Sequence, residues 1–138
     1  MGGAVPSRGA AVILHVEDEE PNRALLRAVF GRTFVEVVRD ATLLEAPDLE
    51  TARRLLEQEP VDLLLLDVRL PDGNGLDLAR SLLDVGPRRP VVIVMSASVL
   101  PSERDTALSS GADYFLAKPY RPSELVSLVA DELRARER

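Results

Sequence analysis

Val61-Asp62-Leu63-Leu64-Leu65-Leu66 runs without a break into Asp67, and Val68-Arg69-Leu70-Pro71-Asp72-Gly73-Asn74-Gly75 follows at once. A short, nearly all-apolar run closed by turn residues reads as a strand buried on both faces, the kind found in parallel sheets. Such a strand needs helices above and below it, which restricts the chain to the α/β classes. Asp67 then stands at the strand's carboxyl end, and the ligand crevice of an open α/β sheet lies outside those ends.

The rest of the chain repeats this unit. Residues 11–16 are apolar and β-rich, and Pro21, after the acids Glu17 to Glu20, suits the first turn of a helix. Leu25, Leu26, Val29 and Phe30 recur at helical spacing. Residues 34–38 suit either a continuation of that helix or a strand, and continuation with a kink near Gly31 is the favoured reading. Residues 42–46 form the second strand, and Asp48 caps a helix that turns Ala52, Leu55 and Leu56 to the core and ends before Pro60. After Asp67 and its turn come a helix over 76–83, a strand over 91–95 and a helix over 102–110 ended by Gly111. A short strand over 114–116 follows, and Ser123 caps a last helix with Leu125, Val126, Leu128, Val129 and Leu133 as its apolar stripe. Five βα units require right-handed crossovers and a parallel sheet covered on both faces.

Bulk properties remove several function classes. The 138 residues suit one domain over 11–138, with residues 1–10 a disordered, polar lead-in that lacks the apolar segment of a signal peptide. No apolar stretch approaches the roughly 18 residues of a membrane span, so no membrane partner is expected and the cytoplasm is the expected compartment. The formal net charge of −6 with scattered arginines argues against a nucleic-acid surface. The absence of cysteine excludes disulfides, thiol catalysis and zinc-thiolate sites. The closing residues 134–138 are mixed in sign and read as a solvated helix end.

Chemistry collects at the strand ends. The first strand ends in Glu17-Asp18, the third in Asp67, the fourth in Ser96 and the fifth in Lys118-Pro119. Lys118 is the only lysine in the chain, and a compact, rotatable ammonium suits a phosphate oxygen or a carboxylate in a tight crevice. Three carboxylates converging at one end of a sheet repel one another unless a positive group lies between them. Oxygen ligands without histidine or cysteine suit a hard cation, and few protein ligands with several waters suit magnesium better than calcium. A carboxylate so placed can accept a phosphoryl group, with Mg²⁺, Lys118 and the Ser96 hydroxyl neutralising oxygen charge.

These residues resemble the receiver domain of two-component response regulators, and the resemblance spans residues 12–133. Ile13-Leu14-His15-Val16-Glu17-Asp18-Glu19 is similar to the family's acidic-pair strand, and Leu65 to Gly73 to its phosphoacceptor motif. Val94-Met95-Ser96-Ala97 is similar to the hydroxyl strand, and Gly111 to Pro119 to the lysine motif. The resemblance implies a flavodoxin-like, doubly wound (βα)5 fold with strand order 2-1-3-4-5 and a signalling switch that is not a turnover enzyme. It implies that Asp67 takes a phosphoryl group from a phosphohistidine on a sensor histidine kinase or histidine phosphotransfer protein. Mg²⁺ would be held by Asp18, Asp67 and the backbone carbonyl of Arg69, with Glu17 holding metal-bound water. Ser96 would bond the phosphoryl oxygen, and Lys118 would pair with it or with Asp67. Ser96 and Phe115 would then move as the switch and alter the face of the fourth helix, fifth strand and fifth helix, where a homodimer would also form. The Lys118-Pro119 bond is expected to be cis, as is usual in the family.

The chain departs from the pattern at two positions. Glu17 stands where aspartate is commonest and Ser96 where threonine is frequent. Phe115 takes the aromatic switch position, with Tyr114 pointing to the opposite face because strand neighbours alternate. The segment between the first helix and second strand is about six residues longer than the family norm, as a partner surface or merely a longer helix. His15 reads as a strand-packing residue and Gly73 and Gly75 as turn glycines needing positive φ; Arg69 and Ser98 stand where the resemblance places tuning of dephosphorylation, and the Arg69 side chain reads equally as a solvated loop arginine. Two rivals stand beside the switch. One is a degenerate receiver acting as a constitutive binding module. The other is a magnesium-dependent aspartyl-phosphate phosphatase or phosphotransferase, which usually carries a second acid two residues after the nucleophile, where this chain has Arg69.

Overall fold

The computed structural model describes residues 9–98 and 100–137. Of the expected lead-in only Gly9 and Ala10 fall within them, and residues 1–8 lie outside, as does Arg138 of the closing helix end. In chain order the elements are β1 (Val12–Val16), α1 (Glu20–Arg32), α2 (Glu36–Arg39), β2 (Thr42–Ala46), α3 (Leu49–Gln58) and β3 (Leu63–Asp67). Then come β4 (Arg69–Leu70), β5 (Gly73–Asn74), α4 (Gly75–Ser81), β6 (Val91–Ser96), α5 (Pro101–Ser109), β7 (Tyr114–Ala117) and α6 (Pro122–Arg136). Five strands pair in parallel in the order β2-β1-β3-β6-β7, which among the sheet strands is the expected 2-1-3-4-5. The flavodoxin-like α/β reading therefore holds.

The leucine run explains the two-sided burial. Leu63, Leu64, Leu65 and Leu66 are all fully buried, and their side chains alternate between two cores. Leu64 and Leu66 join Leu14, Val16, Val92 and Val94 beneath α3, α4 and α5. Leu63 and Leu65 join Ile13, Ile93 and Met95 beneath α1, α2 and α6. A strand with helices on both faces has no polar side to offer, so its composition is continuous rather than alternating.

Helix ends follow local chemistry with two corrections. Pro21 lies in the first turn of α1, and Asp48 caps α3 by accepting from the Thr51 amide at 2.8 Å. Asp72 adds to that cap, its two carboxylate oxygens accepting from the Leu49 and Glu50 amides at 2.9 and 3.0 Å. The expected Ser123 cap is overturned: α6 begins at Pro122, with Arg121 as cap residue and no side-chain cap bond. Proline has the helical φ already and no N–H to satisfy, so the helix starts one residue before the serine.

The expected continuation of α1 through residues 34–38 also fails. The helix ends at Arg32, Thr33 takes an extended conformation, and a separate one-turn α2 forms over Glu36–Arg39. The Thr33 hydroxyl accepts from the Val35 amide at 3.2 Å, which turns the chain and leaves Phe34 outside. Val38 is buried in the α1–α6 core, so tertiary burial, not helical periodicity, orders this segment.

Candidate functional site

Register brings the polar residues together. Asp67 pairs with Met95 and Ser96 with Ala117, so Asp67, Ser96 and Lys118 leave neighbouring strands at one end of the sheet. Val16 pairs with Leu66, which sets Glu17 beside Asp67. Glu17, Asp18, Asp67, Arg69, Ser96 and Lys118 all line one cleft of about 540 Å³. Each site residue expected from sequence except Phe115 is at this opening.

One ammonium serves two acids. Lys118 Nζ donates to Glu17 Oε1 at 2.7 Å and reaches Asp67 Oδ2 at 3.5 Å. Glu17 is only 2% exposed at its side chain, against 18% for Asp67 and 20% for Lys118. Burial pushes the Glu17 carboxyl up, but the hydrogen bond and charge of Lys118 outweigh it and hold it below its ordinary value. Asp67 goes the other way: burial raises it, Lys118 is too distant to compensate, and the Glu17 charge adds to the rise. Burial lowers the Lys118 ammonium, and the two acids more than restore it, leaving it raised.

The donor set suits a hard cation. Carboxylate oxygens of Glu17, Asp18 and Asp67 lie within 4.8 Å of one another. Three carboxylates against one ammonium leave negative charge uncompensated, and all candidate ligands are oxygens.

Supporting residues fix this geometry. The Ser96 hydroxyl accepts from the Ser98 amide at 3.1 Å, and the Lys118 amide donates to the Ser96 carbonyl at 2.8 Å. The Lys118-Pro119 bond is cis, as expected. Arg69 is held in the β4–β5 hairpin opposite Asn74, with an exposed side chain. Phe115 packs against the core beneath α3, α4 and α5, while the Tyr114 hydroxyl donates to Glu132 of α6 at 3.0 Å, so the pair alternates faces as expected.

Glycine roles divide. Gly73 has φ +150°, as the turn reading expects. Gly75 does not have a positive φ, which corrects its expected role. A Cβ there would lie 2.1 Å from the Asp67 carbonyl oxygen, so close approach requires glycine. His15 is a buried strand residue, as read from sequence, and its Nδ1 has no hydrogen-bond partner. Burial lowers its imidazole to about 4.

Sequence reading missed Arg23. Its Nη1 donates to the Glu17 carbonyl at 2.6 Å and its Nη2 to Glu20 at 2.9 Å, clamping the acidic turn onto α1. No spacing rule marks an arginine six residues after an acid whose backbone it grips. Asn22, which also lines the cleft and donates to Glu19 at 3.0 Å, was missed for the same reason.

The family model of the response regulator receiver domain matches residues 13–130. The response regulator protein PilR of Pseudomonas aeruginosa is 39% identical over 130 residues, which are 94% of this chain and 27% of that protein. The phosphate regulon transcriptional regulatory protein PhoB of Escherichia coli is 33% identical over 123 residues, 88% of this chain and 51% of that protein. The chain thus spans about half or less of the length of these two curated relatives. A CheY-like response regulator receiver domain protein of Methanospirillum hungatei shares the fold, with a TM-score of 0.80 at 21% identity over 94% of this chain and 98% of its own. A Francisella response regulator receiver domain does so with a TM-score of 0.78 at 22% identity, over 93% and 99%. Among the described residues no helix is long and apolar enough to cross a membrane. By sequence match and by fold, this chain belongs to the response regulator receiver domain family.

Proposed function

We propose that the chain is a phosphoryl-accepting switch, with Asp67 as the acceptor. The observation that supports this most is the convergence of Asp67 with Glu17, Asp18, Ser96 and Lys118 in one cleft. An Asp67 oxygen attacks the phosphorus of a phosphohistidine on a sensor kinase or phosphotransfer protein. The P–N bond breaks, and its electron pair stays on the imidazole nitrogen. Asp18, Asp67 and the Arg69 carbonyl would hold Mg²⁺, with Glu17 holding its water, and the ion would supply neutralisation of oxygen charge. Lys118 can leave Asp67 for a phosphoryl oxygen while keeping its shorter bond to Glu17. The Ser96 hydroxyl is poised at the cleft to donate to another oxygen.

The output in this reading is a surface change, not a released product. Movement of Ser96 toward the phosphoryl group would let Phe115 follow and bias the face of α5, β7 and α6, which a downstream partner reads. Residues 11–138 act as one unit in the cytoplasm, and the acidic charge balance opposes direct nucleic-acid contact by this unit.

Incubation with a small acyl-phosphate donor and Mg²⁺, followed by intact mass measurement, tests the proposal. The expected result is a gain of one phosphoryl group that is absent in Asp67→Asn and without metal. No gain under any condition would favour a degenerate receiver that binds constitutively. Steady donor hydrolysis with no adduct would favour a phosphatase.

A further inference from the structure

Behind the phosphoacceptor cleft lies a second opening, a chamber of about 270 Å³. Its walls come from Leu25 of α1, Met95 of β6, and Ala97, Pro119 and Tyr120 of the turns that follow β6 and β7. His15 of β1 also lines it. Glu17 and Lys118, joined at 2.7 Å, line the chamber and the cleft alike, so their ion pair stands between the two.

His15 is the buried polar residue that the switch chemistry does not use. It is 2% exposed, and its Nδ1 has no hydrogen-bond partner. An apolar side chain would fill this strand position without that loss, because a buried polar group with no partner is unfavourable. Water is a poor remedy. It needs two or more polar partners, and Leu25, Met95, Ala97 and Pro119 offer it almost nothing to bond.

The walls define what fits. A chamber of this size takes a molecule of one or two fused rings. Met95 and Tyr120 favour an aromatic body, since thioethers and aromatic rings both pack well against a ring. Glu17 and Lys118 already neutralise each other, so a charged occupant would be buried without a counter-ion. The neutral imidazole has one nitrogen able to accept, which calls for an N–H or O–H. We propose that this chamber binds a small neutral aromatic molecule whose ring N–H or hydroxyl donates to His15. Such binding does not depend on Asp67 accepting a phosphoryl group.

Titration of the full chain with indole, followed by NMR, tests it. His15 is the only histidine and Met95 one of two methionines, so their ring and methyl signals are easily identified. Both should shift saturably, with a Kd of about 0.1–1 mM, and both should show Overhauser contacts to indole protons. Indene, which has the same shape without the N–H, should bind the wild type roughly tenfold more weakly. His15→Leu should bind indole and indene equally. The comparison of the two probes in the wild type needs no variant, so it stands even where His15→Leu fails to fold. Absence of saturable shifts up to the solubility limit of indole would overturn the proposal. Contacts confined to another face, equal wild-type affinities for the two probes, or a preference for indole retained in His15→Leu would each overturn it as well.

Discussion

The two ends of the sheet use aspartate in opposite ways. At the amino end, Asp62 accepts from the Val12 amide at 2.8 Å and faces Arg136 at 3.6 Å, tying β1 to the approach of β3. Asp113 there accepts from the Val92 amide at 2.8 Å and from Arg89 at 3.0 Å, tying β6 to β7. Each of these acids has a cation and a strand amide, so its charge is spent on holding the register. At the carboxyl end Glu17 and Asp67 share one lysine, with the Asp18 carboxylate beside them. Fully paired charge makes a clamp, whereas charge left unpaired in a half-buried cleft makes a site that a cation and a phosphoryl group can complete.

This contrast can be broken first through pH. His15, near the carboxyl end of β1, is neutral in the fold because burial holds it at about 4 against an ordinary 6.5. Between those values the unfolded chain binds the extra proton, so stability is whole above about 6.5 and is lost as pH falls toward about 4. A difference of that size amounts to on the order of 3 kcal/mol. In urea titrations with chelator, the wild type should lose about that much more than His15→Leu between neutral pH and the lower value. Equal losses would show that the buried imidazole carries no such cost.

At the amino end the expected effect is about 2 kcal/mol. Asp113→Ala strands the Val92 amide, while Arg89 keeps its bonds to the Gly111 and Pro90 carbonyls, and a buried donor left without an acceptor costs about 1–3 kcal/mol. Urea unfolding should show this loss with or without Mg²⁺. An unchanged midpoint would mean that the amino-end acid is not a clamp.

The smallest effect has the opposite sign. In chelator, Asp67→Asn should raise stability by up to about 1 kcal/mol, because it removes a carboxylate that burial and Glu17 both disfavour. The same variant should lose the increase in Tm that Mg²⁺ gives the wild type. Destabilisation in chelator would make the two ends alike and remove the distinction drawn between them.

Much of this was legible from residues alone. Continuous apolar runs located β1, β3 and β6 to within a residue or two, because two-sided burial leaves no choice of composition, and the partly exposed edge strands β2 and β7 were placed as closely. Asp48, Pro21 and Gly111 marked helix ends through chemistry local to the chain. The segment at 34–38 was misread as a continuation of α1 because a short apolar run satisfies a continuing helix as well as a strand, and neither reading includes the break at Thr33 and the separate α2 that packs Val38 into the core with α6. The acids, hydroxyl and lysine were found by their places at strand ends. Their division of labour was hidden, since Lys118 prefers Glu17 by a difference in reach, 2.7 Å against 3.5 Å.

The sequence by itself determined the parallel sheet and the set of residues at its carboxyl end, because burial patterns and turn residues act over a few neighbours, while the strand order was implied by the resemblance to the receiver family. The tertiary structure alone decided that Glu17 is the buried partner of Lys118, that Arg23 grips the acidic turn, and that Gly75 must leave room for the Asp67 carbonyl. It also decided that Phe34 stands in solvent. These are contacts between side chains and backbone brought together from separate segments, and their distances depend on how helices settle on the sheet, which no local pattern encodes.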